Sequence, residues 1–166
     1  MTAPEQGDTG FRRGPRLGVD VGQARIGVAK SDPDGLLATP VETVQRREGD
    51  PVARIVALAT EYDAIEIVVG LPVNLRGEDT PSTQDARSFA EAVAAASALP
   101  VRLVDERLST VSAHAALRDS GRSQRSSRRI VDQAAAVVLL QQALDVEKRQ
   151  GRAPGETVLK TQESET

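Results

Sequence analysis

The chain has 166 residues, of which 39% are hydrophobic, a length and composition that suit one domain with a proper core but not two full lobes. It has no cysteine, which excludes disulfides, thiolate zinc sites and a Cys nucleophile, so any metal has to be held by oxygen ligands. Phe11, Tyr62 and Phe89 are the whole aromatic set, which argues against an exposed base-stacking platform, and a net charge of -3 argues against attraction of nucleic acid by the molecule as a whole.

Residues 1–14 are polar and glycine-containing and read as a disordered tail without the basic and apolar regions of a signal peptide. No apolar run approaches the length that spans a bilayer, so a soluble, cytoplasmic protein without membrane contact is expected. Arg16 to Val21 and Arg25 to Lys30 are short apolar-rich runs around Gly22-Gln23-Ala24, which predicts two strands joined as a hairpin. Leu36 to Val44 follows the turn signal Asp32-Pro-Asp-Gly35 and reads as a third strand, placed at a sheet edge by Pro40.

Val52 to Tyr62 has apolar residues at helical spacing behind Asp50 as a cap and Pro51 at the first helical position. Ala64 to Leu71 is nearly continuous in apolar residues and predicts a strand buried on both faces. A loop from Val73 to Pro81 leads to a helix over about Ser82 to Ser97, then a buried strand over Val101 to Val104 and a short helix over Thr110 to Ser120. The last helix is expected from about Arg128 to Lys148, capped by Ser126 or Ser127, and residues 150–166 read as a second disordered tail. The folded domain is thus expected over residues 15–149, as a mixed sheet covered by helices.

Within that order, three acids fall where chemistry can use them. Asp20 sits near the end of the first strand beside a glycine turn, Glu106 directly follows the buried run Val101 to Val104, and Asp132 lies in the early turns of the last helix. If the strands are parallel, all three reach one carboxyl edge of the sheet. Carboxylates gathered in this way repel one another unless a divalent cation joins them, and the chemistry such a site serves is phosphodiester hydrolysis. Each also has a bland reading: Asp20 as a turn residue, Glu106 paired with Arg107 or Arg102, Asp132 complementing the helix dipole.

Arg25 and Arg107 stand next to the turn and to Glu106 and are candidates for phosphate contacts, since guanidinium forks match phosphate oxygens. Arg122, Arg125, Arg128 and Arg129 form an acid-free, Ser-rich basic patch that suits nucleic acid or a solvated loop equally. The single histidine, His114, on an expected helix, is assigned no catalytic role.

Four blocks in order carry a family resemblance: Gly18-Val-Asp-Val-Gly22 with Arg25-Ile-Gly-Val-Ala29, Val69-Gly-Leu-Pro72 with Gly77, Asp105-Glu-Arg-Leu-Ser-Thr110, and Ile130-Val-Asp-Gln-Ala-Ala-Ala136. From Leu17 to about Leu144 the chain resembles the YqgF (RuvX) family, relatives of the RuvC resolvases. The resemblance implies a ribonuclease H-like α/β fold, a five-stranded mixed sheet with helices on both faces. It implies Asp20, Glu106 and Asp132 as catalytic and metal-binding residues, with Mg2+ or Mn2+ as cofactor.

The implied function is a metal-dependent nuclease processing the 5′ end of precursor 16S rRNA, with Holliday junction resolution as the alternative. A non-catalytic rRNA-binding assembly factor is a third reading. The partners implied are precursor rRNA or branched DNA and ribosomal particles, with the protein a monomer or homodimer. Lys30, in a slot more often apolar or small in the family, brings positive charge to the site or points outward. Gly18-Val-Asp-Val-Gly22 also resembles the phosphate loop of actin-like ATPases, which the absence of a second lobe argues against.

Overall fold

The computed structural model describes residues 11–106 and 124–159, and side chains in the second stretch from Asp132 onward. The expected short helix over Thr110 to Ser120, with His114, lies outside these residues, as do residues 1–10 and 160–166.

The predicted hairpin forms as β1 (Leu17–Val21) and β2 (Arg25–Ser31), paired antiparallel and closed by the Gly22 N–H donating to the Arg25 carbonyl at 2.9 Å. β3 (Ala38–Gln45) pairs with β2 and lies at the sheet edge, as Pro40 requires, with a register shift that leaves Val41 unmatched between Pro40 and Glu42. It begins two residues later than the sequence suggests. The Asp32 carboxylate accepts from the N–H groups of Leu36 and Leu37, both at 2.8 Å, and holds them in the turn with their side chains exposed.

Helix α1 (Pro51–Glu61) starts as predicted, with the Asp50 carboxylate accepting from the Ala53 N–H at 3.1 Å and Pro51 at the first position. β4 (Ile67–Leu71), helix α2 (Pro81–Ala96), β5 (Val101–Asp105), helix α3 (Gln124–Gln150) and β6 (Glu156–Val158) follow. Helix α3 begins before the expected start, so Ser126 and Ser127 lie inside it rather than capping it.

The sheet order is β3-β2-β1-β4-β5-β6, with β1, β4 and β5 parallel and the other pairings antiparallel. Among the described residues it has six strands rather than the expected five. The sixth falls in the stretch expected to be disordered after residue 150, because β5 would otherwise present an unpaired edge: Val158 sits opposite Val101 and is buried against it.

Residues at the end of the expected amino-terminal tail also pack onto the domain. Arg12 is ion-paired with both Glu66 and Glu147, and Arg16 with Glu147, which ties the start of β1, the approach to β4 and the end of α3 together.

Alternation along the strands sorts side chains onto two faces. Leu17, Val19, Ile67, Val69, Val101 and Leu103 pack against Ile55 and Leu58 of α1 and Phe89 and Val93 of α2. Ala29, Val68 and Val104 pack against Ala136, Leu139, Leu140, Ala143 and Leu144 of α3. On that second face two glycines let α3 lie directly on the sheet. A Cβ at Gly18 would stand 2.9 Å from the Leu140 Cβ, and one at Gly27 would stand 1.8 Å from the Asp132 carbonyl oxygen. The backbone of Asp132 is therefore pressed onto β2 beside the strand that carries Asp20.

Candidate active site

Asp20 is the fourth residue of β1, opposite Gly27 of β2, and alternation turns it to the α3 face, away from Val19 and Val21. The parallel register pairs Val19 with Val69, Gly70 with Val104 and Leu71 with Asp105, so Asp20, Gly70 and the end of β5 share one carboxyl edge. On the α3 face β4 offers only Gly70 at that edge, and Gly70 has no side chain. The Glu106 side chain fills the gap: a Cβ on Gly70 would lie 2.3 Å from Glu106 Oε2 and 2.7 Å from its Cγ. Glu106 thus crosses the neighbouring strand over Gly70 and meets Asp20.

The two carboxyls are hydrogen-bonded to each other, and Glu106 is pushed up to about 9, first by burial, then by the hydrogen bond and charge of Asp20, and then by the charge of Asp105. At neutral pH this pair therefore holds one proton.

Asp132 completes the acidic set from the other side. It is half-buried, and its pKa is raised, chiefly by burial, against the lowering effect of Arg25 and with a smaller contribution from the charge of Asp20. Arg25 Nε donates to Asp132 Oδ2 at 2.9 Å. Among the described residues no three acidic or histidine side chains stand close enough together to hold one metal ion as they are. The Asp20–Glu106 pair fits a divalent cation: two hard oxygen donors already in contact and sharing a proton that a cation can replace. Asp132 fits as a third donor only if it leaves Arg25.

Of the predicted phosphate contacts, Arg25 is thus engaged with Asp132. Arg107 and Arg122 lie outside the described residues, and Arg125, Arg128 and Arg129 fall on α3 where only the backbone is described. Lys30 is on the opposite face of the sheet, its Nζ 5.2 Å from the centroid of the Tyr62 ring. Its charge points away from the acids.

Sequence reasoning missed Asp105 as a second charge acting on Glu106, and Arg46. The Arg46 guanidinium donates to both carboxylate oxygens of Asp85 on α2, at 2.6 and 3.0 Å, and to the Gly22 carbonyl at 2.9 Å, bracing the β1–β2 turn between Asp20 and Arg25. No local pattern announces a contact between a strand end and a helix 39 residues on.

A central sheet of this order, with carboxylates at the end of β1 and beyond β5, defines a ribonuclease H-like fold. T. thermophilus RuvC in complex with a Holliday junction superimposes with a TM-score of 0.51 at 19% identity, over 85% of this chain and 98% of that one. A second Thermus thermophilus RuvC structure gives 0.50 at 14% identity.

The chain belongs to the RuvX family, described as Holliday junction resolvase, whose pattern matches residues 14–146. It is 58% identical over 153 residues, 89% of this chain and 93% of the other, to a protein of Clavibacter michiganensis subsp. michiganensis named "Putative pre-16S rRNA nuclease". A Streptomyces coelicolor protein of the same name is 52% identical over 164 residues, 95% of this chain and 98% of that protein.

Proposed function

We propose that this protein is a divalent-metal-dependent nuclease that hydrolyses phosphodiester bonds at the Asp20–Glu106–Asp132 edge, with precursor 16S rRNA as its substrate. The observation that carries the reading is the contact between Asp20 and Glu106 across Gly70, which leaves a proton on Glu106 up to about pH 9. Two carboxyls are brought together at a cost in repulsion and desolvation that packing does not require, and sites with such perturbed groups are where chemistry is done.

Asp20, Glu106 and, once released from Arg25, Asp132 would hold Mg2+ or Mn2+ through oxygen ligands. The cation supplies the charge that makes water a nucleophile at neutral pH and offsets charge on the leaving oxygen. The chain's own residues do the rest. Gly70 keeps the space in which Glu106 reaches Asp20, Gly27 lets α3 deliver Asp132, and the Arg46–Asp85 pair fixes the turn that carries Arg25. Arg25 has one obvious competitor for Asp132, a substrate phosphate, because its fork matches phosphate oxygens as well as carboxylate. Substrate arrival then frees the third acid at the moment it is needed.

The ribosomal substrate is supported by the shared name of relatives 50 to 58% identical to this chain. Junction resolution is the second reading, favoured by the family description and the RuvC fold, and it requires two sites on a two-fold dimer. Incubating labelled precursor rRNA and, separately, a synthetic four-way junction with the protein, with and without Mn2+, tests both. Cleavage of the RNA alone, only with metal, is the expected result. Paired cuts in the junction would favour the second reading, and RNA binding without cleavage of either would make the protein an assembly factor.

A further inference from the structure

The loop between β4 and α2 leaves the sheet at the site's own edge, one residue past the glycine that Glu106 crosses. Its backbone is fixed from within. The Asn74 side-chain oxygen accepts from the N–H groups of Arg76 and Glu78, both at 2.9 Å. The Asn74 N–H donates to the Glu78 carbonyl at 3.1 Å, and the Gly77 N–H to the Asn74 carbonyl at 2.9 Å. Gly77 takes a positive φ of 80°, which a glycine adopts without strain. At the foot, the Thr83 hydroxyl donates to the Pro72 carbonyl, and Thr80 and Thr83 form a capping box at the start of α2.

A loop held in this way cannot fold its tip inward, and the tip is Leu75 followed by Arg76. Leu75 is 94% exposed, the most exposed large apolar side chain among the described residues. The others are placed elsewhere: Leu36 and Leu37 in the β2–β3 turn at the far end of the sheet, Leu159 at the end of the described chain. The loop's acids are turned back on it. Glu78 accepts from Asn74 Nδ2 at 3.0 Å and Asp79 from Gln84 Nε2 at 3.2 Å, so the two exposed carboxylates are held along the loop's return limb while Leu75 and Arg76 stand at its tip.

We propose that Leu75 and Arg76 form a substrate contact at the mouth of the site, Leu75 packing on the face of an unpaired base and Arg76 taking the adjacent phosphate. The inference deepens the nuclease reading and rests on it. In nucleic-acid recognition, apolar side chains occupy positions where a base has left its stack, and arginines hold the backbone beside them. Aromatic stacking is not the means at this edge: Phe11 lies under Arg16 at the other end of the sheet, Phe89 is in the core, and Tyr62 sits at the end of α1 beneath Lys30. The contact selects for single-stranded nucleotides over duplex, because a stacked, paired base presents no face to Leu75.

The chain has no tryptophan, so Leu75→Trp places a sole indole reporter on the tip. In an Asp20→Asn background that keeps RNA whole, this variant is titrated with a single-stranded RNA oligonucleotide and with the same strand in duplex, while the anisotropy of a fluorescein label on the RNA follows binding independently. Indole emission is expected to fall by roughly half or more at saturation with the single strand and to stay level with duplex. The Leu75→Ala/Arg76→Ala double variant is expected to bind the single strand about tenfold more weakly, a change of roughly 1.4 kcal/mol. Unchanged emission while anisotropy reports saturation, equal quenching by duplex, or wild-type affinity in the double variant would each overturn the proposal. Absence of RNA binding by the unsubstituted tip would overturn the RNA-substrate reading on which the proposal rests, a result that anisotropy alone distinguishes from the other three.

Discussion

At the scale of single residues, the site is a balance between one proton and one guanidinium. Asp20 and Glu106 share the proton, and Arg25 holds Asp132. Replacing Asp20 by Asn or Glu106 by Gln removes a ligand charge while keeping the shape, and is expected to lower cleavage by roughly two orders of magnitude or more in a gel assay with Mn2+, with the circular dichroism spectrum unchanged. Arg25→Gln acts in the other direction on metal. It removes both the competitor for Asp132 and a positive charge beside the cation, so calorimetry without RNA is expected to show Mn2+ binding several-fold more tightly, while RNA binding weakens. Weaker metal binding in this variant would mean that Arg25 serves to position Asp132 as a ligand rather than to occupy it.

At the scale of elements, the two glycines that shape the site make opposite predictions. A methyl group at Gly27 meets the backbone carbonyl of Asp132, which cannot move without lifting α3 from the sheet. Gly27→Ala is therefore expected to cost about 1 to 3 kcal/mol in a urea titration. A methyl group at Gly70 meets the flexible carboxyl end of Glu106. That side chain can swing out, so Gly70→Ala is expected to keep its stability and lose its cleavage. These contrasts also mark what the sequence discloses. The β1–β2 hairpin, α1 and β4 were legible because their signals are local: a glycine turn between apolar runs, Asp50-Pro51 before a helical period, an unbroken apolar run. The placement of Asp20 at a strand end was legible for the same reason. β6 was not legible, since three residues of mixed polarity become a strand only because β5 offers an edge. The placement of Arg12 depends on Glu66 and Glu147, which lie 54 and 135 positions away.

Across the whole molecule, the two ends of the sheet respond to pH with opposite sign. At the end away from the site, Arg12 and Arg16 hold Glu147 charged against burial, so its pKa is lowered overall on folding. A carboxyl whose folded pKa is depressed contributes stability above its unfolded value and loses it as pH falls through the folded one. Glu147→Gln should therefore flatten the acid side of the stability profile, and because it leaves the buried Arg16 without its carboxylate while Arg12 keeps Glu66, it should also cost about 3 kcal/mol or more near neutrality. At the site, Glu106 is raised from 4.5 to about 9, so the folded state holds a proton that the unfolded chain gives up. Its contribution is complete below 4.5 and declines as pH rises toward 9. The metal-free protein is thus expected to be most stable in mildly acidic solution and to melt at lower temperature at pH 8. Glu106→Gln, whose amide keeps a donor without the charge, should remove that decline. Mn2+ should reduce it in the wild type, because a cation bound to the ionised pair stabilises the folded state alone, by about 2.7 kcal/mol at a hundredfold excess over its dissociation constant. Thermal melts across pH 5 to 9, with EDTA and with Mn2+, measure both effects. A metal-free melting temperature that climbs steadily to pH 8 would show that Asp20 and Glu106 do not share a proton.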